Sequence, residues 1–246
     1  MNNLSTLNHL LMTHSTEVDE MTSEKSIYLY GQAISRIDNV VVVISDLLRN
    51  ENRLYCGLFG KKLGISKDSA ENSIWERELL SKMSETELNN KYLAEIRFFH
   101  FLKKLSKPQR STRYLVTKLR FTSPKDENID VLHQLRYIYS GDSYKIRYAI
   151  CIYGPLTFDF SGKSLVVDTL TGNSEPLSDV SDDKILSNRE IQVLSLISRG
   201  FKSSEIAEQL SISKHTVSRH RQEILSKLQV KNSIDACRMA KALNLI

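Results

Sequence analysis

The clearest chemical pattern in the sequence lies in residues 211–228, where polar and basic side chains recur on one side of an amphipathic helix. Arginine pairs bidentately with guanine and glutamine with adenine, and short polar side chains add contacts to base edges in the major groove of DNA. The positions predicted to face bases, spaced i, i+3, i+4 and i+7 on one helical face, are His215, Ser218, Arg219 and Gln222.

The residues around this face suit the sugar-phosphate walls of a groove, because cations and hydroxyl groups make many protein–phosphate contacts. The residues predicted to face phosphates are Ser203, Lys214, Thr216, His220, Arg221 and Lys227. Val217, Ile224 and Leu228 recur on the opposite side and are expected in a hydrophobic core. A lone helix of this kind is more often an ordinary solvated surface, so the interpretation depends on its neighbours.

The elements before this helix favour DNA binding. A short helix (residues 205–210), a tight turn (211–213) and a longer basic helix are typical of a helix-turn-helix. Ser213 is the predicted N-cap of the longer helix, and Ser203 or Ser204 that of the shorter one. A preceding helix begins with the capping-box pattern of residues 187–190 and is expected to end at Gly200 in the left-handed conformation.

The C-terminal segment resembles the LuxR-type (FixJ/NarL-type) four-helix DNA-binding domain over residues 186–243. The resemblance implies that residues 214–229 enter the major groove. Ser218 departs from the family pattern, because many members have lysine there, so no target sequence is carried over. The positions that carry the resemblance are Leu186, Ser187, Arg189, Glu190, Val193, Leu194, Ile197, Gly200, Glu205, Ile206, Ala207, Leu210, Ile212, Ser213, Thr216, Val217, His220, Arg221, Ile224, Lys227, Leu228, Val230 and Asn232.

The fourth predicted helix, residues 233–243, commonly mediates dimerisation in the family. Its apolar positions belong to the core by default, and a dimer contact is the added hypothesis. The implied partners are double-stranded DNA and a second copy of the chain, with RNA polymerase as a further candidate. The dimerisation candidates are Ala236, Met239, Ala240 and Leu243.

The sequence before residue 171 predicts an α+β domain. Residues 40–45 form a β-branched run and 53–57 a partner strand, and residues 73–105 indicate helices, one with a capping box at 84–87. Alternation then predicts strands at 113–122, 131–139 and 144–153, with Gly141 and Asp142 in a hairpin turn and a further strand at 164–168. This order, an antiparallel sheet with helices on one face, resembles a PAS domain.

Charge and composition divide the chain of 246 residues into segments. From Leu186 onward there are ten basic and five acidic residues, and the remainder carries 24 of each sign, so this segment holds the whole net charge of +5. Residues 171–185 are polar, contain Gly and Pro, and predict a linker. We therefore expect an N-terminal helix or disordered arm (1–25), a PAS-like sensory or dimerisation domain (26–170), the linker, and an all-α helix-turn-helix domain (186–246).

Several classes of protein are disfavoured by the sequence. No apolar run of about 18 residues, which a transmembrane helix would need, is present, and no signal peptide or enzyme motif is recognisable. A bacterial cytoplasmic protein that is not an enzyme is therefore expected. The three cysteines are expected to be reduced thiols, and the six histidines show no metal-ligand spacing. No haem or flavin signature is present, and a small-molecule ligand of the PAS-like domain stays open. The alternatives are a sigma-like promoter-recognition factor and an enzyme-like ligand-binding domain with accessory DNA binding.

Overall fold

The structure, a computed structural model, describes residues 3–13, 24–125, 127–140, 145–177, 186–228, 230, 232–242 and 245–246. It divides into two compact units. Leu11–Leu177 is called the sheet unit below, and Met1–Leu10 together with Ser178–Ile246 is called the helical unit. The predicted fold class, an α+β domain plus an all-α domain, is confirmed.

The sheet unit contains an antiparallel sheet of eight strands among the described residues. Their order across the sheet is β3-β2-β1-β6-β5-β4-β7-β8. The three longest strands are β4, β5 and β6, as their alternating sequences predict. The strands are β1 (Val41–Asp46), β2 (Glu51–Cys56), β3 (Ser69–Glu71), β4 (Arg113–Thr122), β5 (Asn128–Tyr139), β6 (Ile146–Pro155), β7 (Ser164–Asp168) and β8 (Ser174–Pro176).

Helices cover both faces of this sheet. On one face Ile27 and Tyr28 of α2 pack with Ile44 and Ile150, and on the other Phe98 of α5 stacks on Tyr137, with ring centroids 5.8 Å apart. Helices on one face alone were predicted; the difference arises because every residue of β1 is buried, which requires a cover on each side. The helices before the C-terminal domain are α1 (Asn3–Thr13), α2 (Glu24–Ile37), α3 (Leu58–Lys62), α4 (Arg77–Leu80), α5 (Glu85–Lys103) and α6 (Lys107–Ser111).

The capping-box pattern correctly predicts where α5 begins, and the N-terminal segment is helical. The Ser84 side chain accepts a hydrogen bond from the Glu87 amide at 3.2 Å, as the capping-box pattern predicts. Of the two alternatives for the N-terminus, the structure has a helix, α1, in which Leu7, Leu10 and Leu11 are buried. Leu4 was expected on the same face, but its side chain is outside the described residues.

The predicted linker begins too early. Ser174–Pro176 pairs with β7, with Val167 opposite Ser174, so the sheet continues past residue 170. A three-residue edge strand carries no periodic signal, which is why the sequence did not indicate it. The remainder of the predicted linker (178–185) lies outside the described residues, as do residues 14–23 of the predicted N-terminal arm and the predicted hairpin turn at Gly141 and Asp142.

Where it is described, the C-terminal part of the helical unit contains four helices, as the resemblance implied. They are α7 (Asn188–Ser198), α8 (Ser203–Gln209), α9 (Lys214–Leu228) and α10 (Ser233–Ala242). Gly200 follows α7 with a φ of +90°, the left-handed conformation predicted for it. Among the helices that the structure describes, none is long and apolar enough to cross a membrane.

Candidate nucleic-acid interface

The turn between α8 and α9 is held by local hydrogen bonds. The Ile212 amide donates to the Ala207 carbonyl oxygen at 2.9 Å, and Ser211 adopts a positive φ of 52°. The Ser213 Oγ accepts from the Thr216 amide at 3.0 Å, which confirms Ser213 as the N-cap of α9. The direction in which α9 leaves the turn is therefore fixed by its own first residues.

The N-cap of α8 differs from the prediction. Lys202 holds this position, and its amide donates to the Glu205 carboxylate at 2.7 Å, while Ser203 is already the first residue of the helix. Glu205 supplies the acceptor from within the first turn, so a serine cap is not needed. The Ser203 hydroxyl instead accepts from Arg221 at 3.0 Å.

The side of α9 predicted to face bases is a continuous exposed surface. The buried side consists of Val217, Ile224 and Leu228, as predicted. Near the exposed surface, the Arg219 Nε lies 3.6 Å from a Glu223 carboxylate oxygen, a contact that a nucleic acid must compete with. The residues that the structure places together on the exposed side are His215, Ser218, Arg219 and Gln222.

The predicted phosphate-facing residues do not share one environment. Lys214 is exposed at the start of α9, whereas Thr216 is half-buried and shares a hydrogen bond with Ser213 (2.8 Å between the two hydroxyl oxygens). The His220 Nδ1 lies 3.3 Å from the Glu223 carboxylate. Arg221 donates to the hydroxyls of Ser203 and Ser233, each at 3.0 Å, so it joins α9 to α8 and to α10. A structural role is the better interpretation of Arg221.

Lys227 has a role that the sequence did not indicate. Its ammonium group lies 2.7 Å from one carboxylate oxygen of Glu190 and 2.8 Å from the other. The Glu190 side chain is buried and also accepts from the Ser187 amide at 2.6 Å, completing the predicted capping box. Lys227 thus ties the end of α9 to the start of α7. This ion pair makes a phosphate contact the weaker interpretation of Lys227.

The Glu190 carboxylate should make the stability of α7–α10 depend on acid pH. Burial alone would raise its pKa, but the hydrogen bonds from Lys227 and Ser187 outweigh that effect and hold the pKa below its usual value. A carboxyl whose pKa is lower in the folded state stabilises the fold above its unfolded-state pKa, and this contribution is lost as pH falls through the folded-state pKa. We expect Glu190→Gln to lower the free energy of unfolding by about 1–2 kcal/mol at neutral pH. The fall of this free energy toward acid pH should also become shallower, and urea unfolding at a series of pH values from 7 to 3 measures both effects. An equally steep decline in the variant would contradict this assignment.

Arg189 was recognised in the sequence only as a family position, and the structure shows what it does. Its Nη2 donates to the Leu210 carbonyl oxygen at 2.6 Å, at the C-terminal end of α8. The last carbonyls of a helix have no partner within the helix, so a cation there satisfies one of them. Arg189 therefore links α7 to the turn between α8 and α9.

The predicted dimerisation residues that the structure describes are buried within the chain, as their default core assignment expects. Ala236, Met239 and Ala240 have at most 1% of their surface exposed within a single chain, so they belong to its core and have no surface left for a partner. Leu243 lies outside the described residues. The outward side of α10 instead carries Ile234, which is 65% exposed, together with Arg238 and Lys241.

Comparison with known proteins identifies this C-terminal region. Residues 184–240 match the family described as "Bacterial regulatory proteins, luxR family", and the region is a LuxR-family helix-turn-helix domain. The oxygen regulatory protein NreC of Staphylococcus aureus (strain MRSA252) is 34% identical over 103 residues. This match covers 42% of each chain, so less than half of that relative is matched.

Solved structures with similarity over most of the chain include a phage VqmA–DPO complex and Escherichia coli SdiA. The first has a TM-score of 0.32 and 12% identity and covers 91% of this chain and 92% of its own. The second has a TM-score of 0.27 and 14% identity and covers 99% and 98%. Similarity at this level does not establish a shared fold for the whole chain.

Proposed function

We propose that this chain, whose C-terminal region is a LuxR-family helix-turn-helix domain, is a sequence-specific transcriptional regulator that binds DNA through α9. The observation that carries this proposal is the two-sided structure of α9. Its apolar side is fully buried, and its exposed side presents His215, Ser218, Arg219 and Gln222 together. An exposed arginine and glutamine one turn apart can hydrogen-bond to base edges.

The test is selection of binding sites from a random pool of double-stranded DNA with the full-length protein. If the protein binds DNA as a symmetric homodimer, the selected sites should contain an inverted repeat with half-sites about one helical turn apart. The outward side of α10, with Ile234, is the surface we propose for the dimer contact. Recovery of a single half-site would contradict the dimer, and recovery of no sequence preference would contradict the proposed function.

The salt dependence of binding should separate the two lysines of α9. We expect Lys214→Ala to flatten the plot of log affinity against log salt by about 0.9, the value for one lost phosphate contact. Lys227→Ala should leave the slope unchanged, because its charge is already balanced by Glu190. Filter binding to the selected site from low to physiological salt measures both slopes. The reverse ranking would restore Lys227 as a phosphate contact.

We propose a PAS-type sensory role for the sheet unit. Strands β2-β1-β6-β5-β4 form its centre, and the helices between β2 and β4 lie against one face. On the opposite face, against α2, a pocket of about 270 Å³ is lined by Ile27, Tyr30 and Ile138 among others. Arg136 also lines it: its guanidinium lies 4.1 Å from the Tyr114 ring centroid, and its buried Nη1 has no hydrogen-bond partner. Such a pocket suits a small apolar anion. A small aromatic carboxylate such as benzoate should then raise the melting temperature of the unaltered chain and not of Arg136→Met.

The rival functions require features that the described residues do not support as directly. A sigma-like factor needs a helical polymerase-binding domain, whereas the described part of the sheet unit is built around an eight-stranded antiparallel sheet. We propose that the chain acts as a regulator without catalytic activity, in the cytoplasm where bacterial DNA is accessible. A contact with RNA polymerase remains part of this proposal, and co-purification with polymerase on promoter DNA tests it.

A further inference from the structure

Three side chains with metal-binding atoms meet inside the sheet unit, between α5 and the sheet. They are Glu95 of α5, His133 of β5 and Cys151 of β6. A carboxylate oxygen, a ring nitrogen and the sulfur all lie within 4.8 Å of one another. All three side chains are buried, and His133 is 0% exposed.

Strand register brings the histidine and the cysteine together. His133 lies opposite Tyr153 and Leu135 lies opposite Cys151, so His133 and Cys151 are diagonal neighbours on one face of the sheet. Glu95 projects onto the same face from α5, one helical turn after Lys91. Three elements far apart in the sequence thus supply one oxygen, one nitrogen and one sulfur atom.

His133 has no hydrogen-bond partner at either ring nitrogen. Its ring stacks on Tyr153, with centroids 4.7 Å apart, and its Nε2 lies 3.8 Å from a Glu95 carboxylate oxygen, beyond hydrogen-bond distance. Buried polar atoms are rarely left unpaired, because each costs about 1–3 kcal/mol. A metal ion bound at one ring nitrogen would give this buried atom a partner.

Two buried carboxylates and one buried ammonium group lie at this cluster. The Lys91 ammonium lies 2.7 Å from Glu95 and 3.8 Å from Glu76. A metal ion would therefore share the Glu95 carboxylate with Lys91.

We propose that Glu95, His133 and Cys151 form a binding site for a divalent transition-metal ion of the zinc class. Carboxylate, imidazole and thiolate are the three side-chain ligand types of zinc in proteins. Metal–ligand bonds of about 2.0–2.3 Å place ligand atoms roughly 3–4 Å apart, so the cluster must contract by about 1 Å to bind the ion. Three protein ligands leave a fourth position of a tetrahedral ion for an external ligand.

Binding requires the loss of one proton. Cys151 is buried, and a metal ion binds the thiolate form of cysteine rather than the thiol. The sulfur–hydrogen bond breaks, its electron pair forms the sulfur–metal bond, and the proton passes to the solvent buffer. No electron is transferred. The site is independent of DNA recognition by α9, so a failure of either proposal leaves the other standing.

The test is titration of the reduced full-length protein with Co²⁺, which replaces zinc and absorbs visible light. We expect one Co²⁺ per chain, release of about one proton, and a thiolate-to-cobalt charge-transfer band. Cys151→Ser should abolish that band, whereas Cys56→Ser and Cys237→Ser, at the other two cysteines, should retain it. His133→Phe should weaken binding at least tenfold, because it removes one of the three ligands, and loss of even an outer-shell partner typically costs about 10–100-fold.

A measurement on the unaltered chain keeps the proposal testable if a variant fails to fold. X-ray absorption of the zinc-loaded protein should show one sulfur and a remainder of nitrogen and oxygen neighbours. A zinc shell without sulfur, or a cobalt band that persists in Cys151→Ser, would overturn the site. The absence of binding at millimolar Co²⁺ or Zn²⁺ would overturn it as well.

Discussion

Replacing Lys91 by methionine is expected to destabilise the sheet unit by about 3–5 kcal/mol. The Lys91 side chain is 1% exposed and lies beside Glu95 and Glu76. Burial alone would lower its pKa, but the two carboxylates outweigh this effect and raise it, so the group carries its charge at every physiological pH. Methionine retains the volume and removes the charge, which leaves two buried carboxylates without their cation.

Unfolding in urea with Trp75 fluorescence measures this loss, and EDTA removes any contribution of bound metal. Trp75 is the single tryptophan of the chain and packs edge-on against Tyr92 at 5.5 Å, so its emission reports the sheet unit. Lys163→Met is the matched control, because that side chain is 68% exposed, and it should change stability by less than about 0.5 kcal/mol. Adding Glu95→Gln to Lys91→Met should recover part of the loss. A loss below 1 kcal/mol in Lys91→Met would contradict the assigned role.

Replacing Arg219 by alanine is expected to weaken binding to a selected DNA site by about 1–3 kcal/mol, roughly 5- to 150-fold. Arg219 is the longest donor on the exposed side of α9, and its side chain is 63% exposed. A base contact affects specific sites and leaves non-specific DNA nearly unchanged, so discrimination should fall as well. Competition binding with the selected site and with random DNA measures both quantities.

Arg36→Ala is the matched control for this experiment. Arg36 is also an exposed arginine, with 65% of its side chain exposed, but it lies on α2 of the sheet unit and pairs with Asp68 at 3.9 Å. Its replacement should change the affinity for the selected site by less than twofold. If Arg219→Ala and Arg36→Ala have the same effect, α9 does not read bases through Arg219.

Features that depend on neighbours along the chain could be predicted from the sequence. Helix periodicity located α9 and its buried side. The caps at Ser187 and Ser213 were correct because a capping hydroxyl and the amide that donates to it lie three residues apart. Strands β4 and β7 were also predicted, because a strand pattern depends only on near neighbours along the chain. The base-facing set was identified from spacing alone, and its contact with DNA stays a prediction.

Features that depend on distant residues were decided by the tertiary structure. Lys227 pairs with Glu190, 37 positions away, and the sequence alone assigned it to phosphate. Ala236 and Met239 have the pattern of any apolar helical side, and only packing shows that this side is already buried. His133 and Cys151 carry no metal-ligand spacing, yet strand register places them beside Glu95. Periodicity fixes which side of an element is apolar, whereas the register and docking of elements fix which polar atoms meet, and those depend on contacts that no local pattern records.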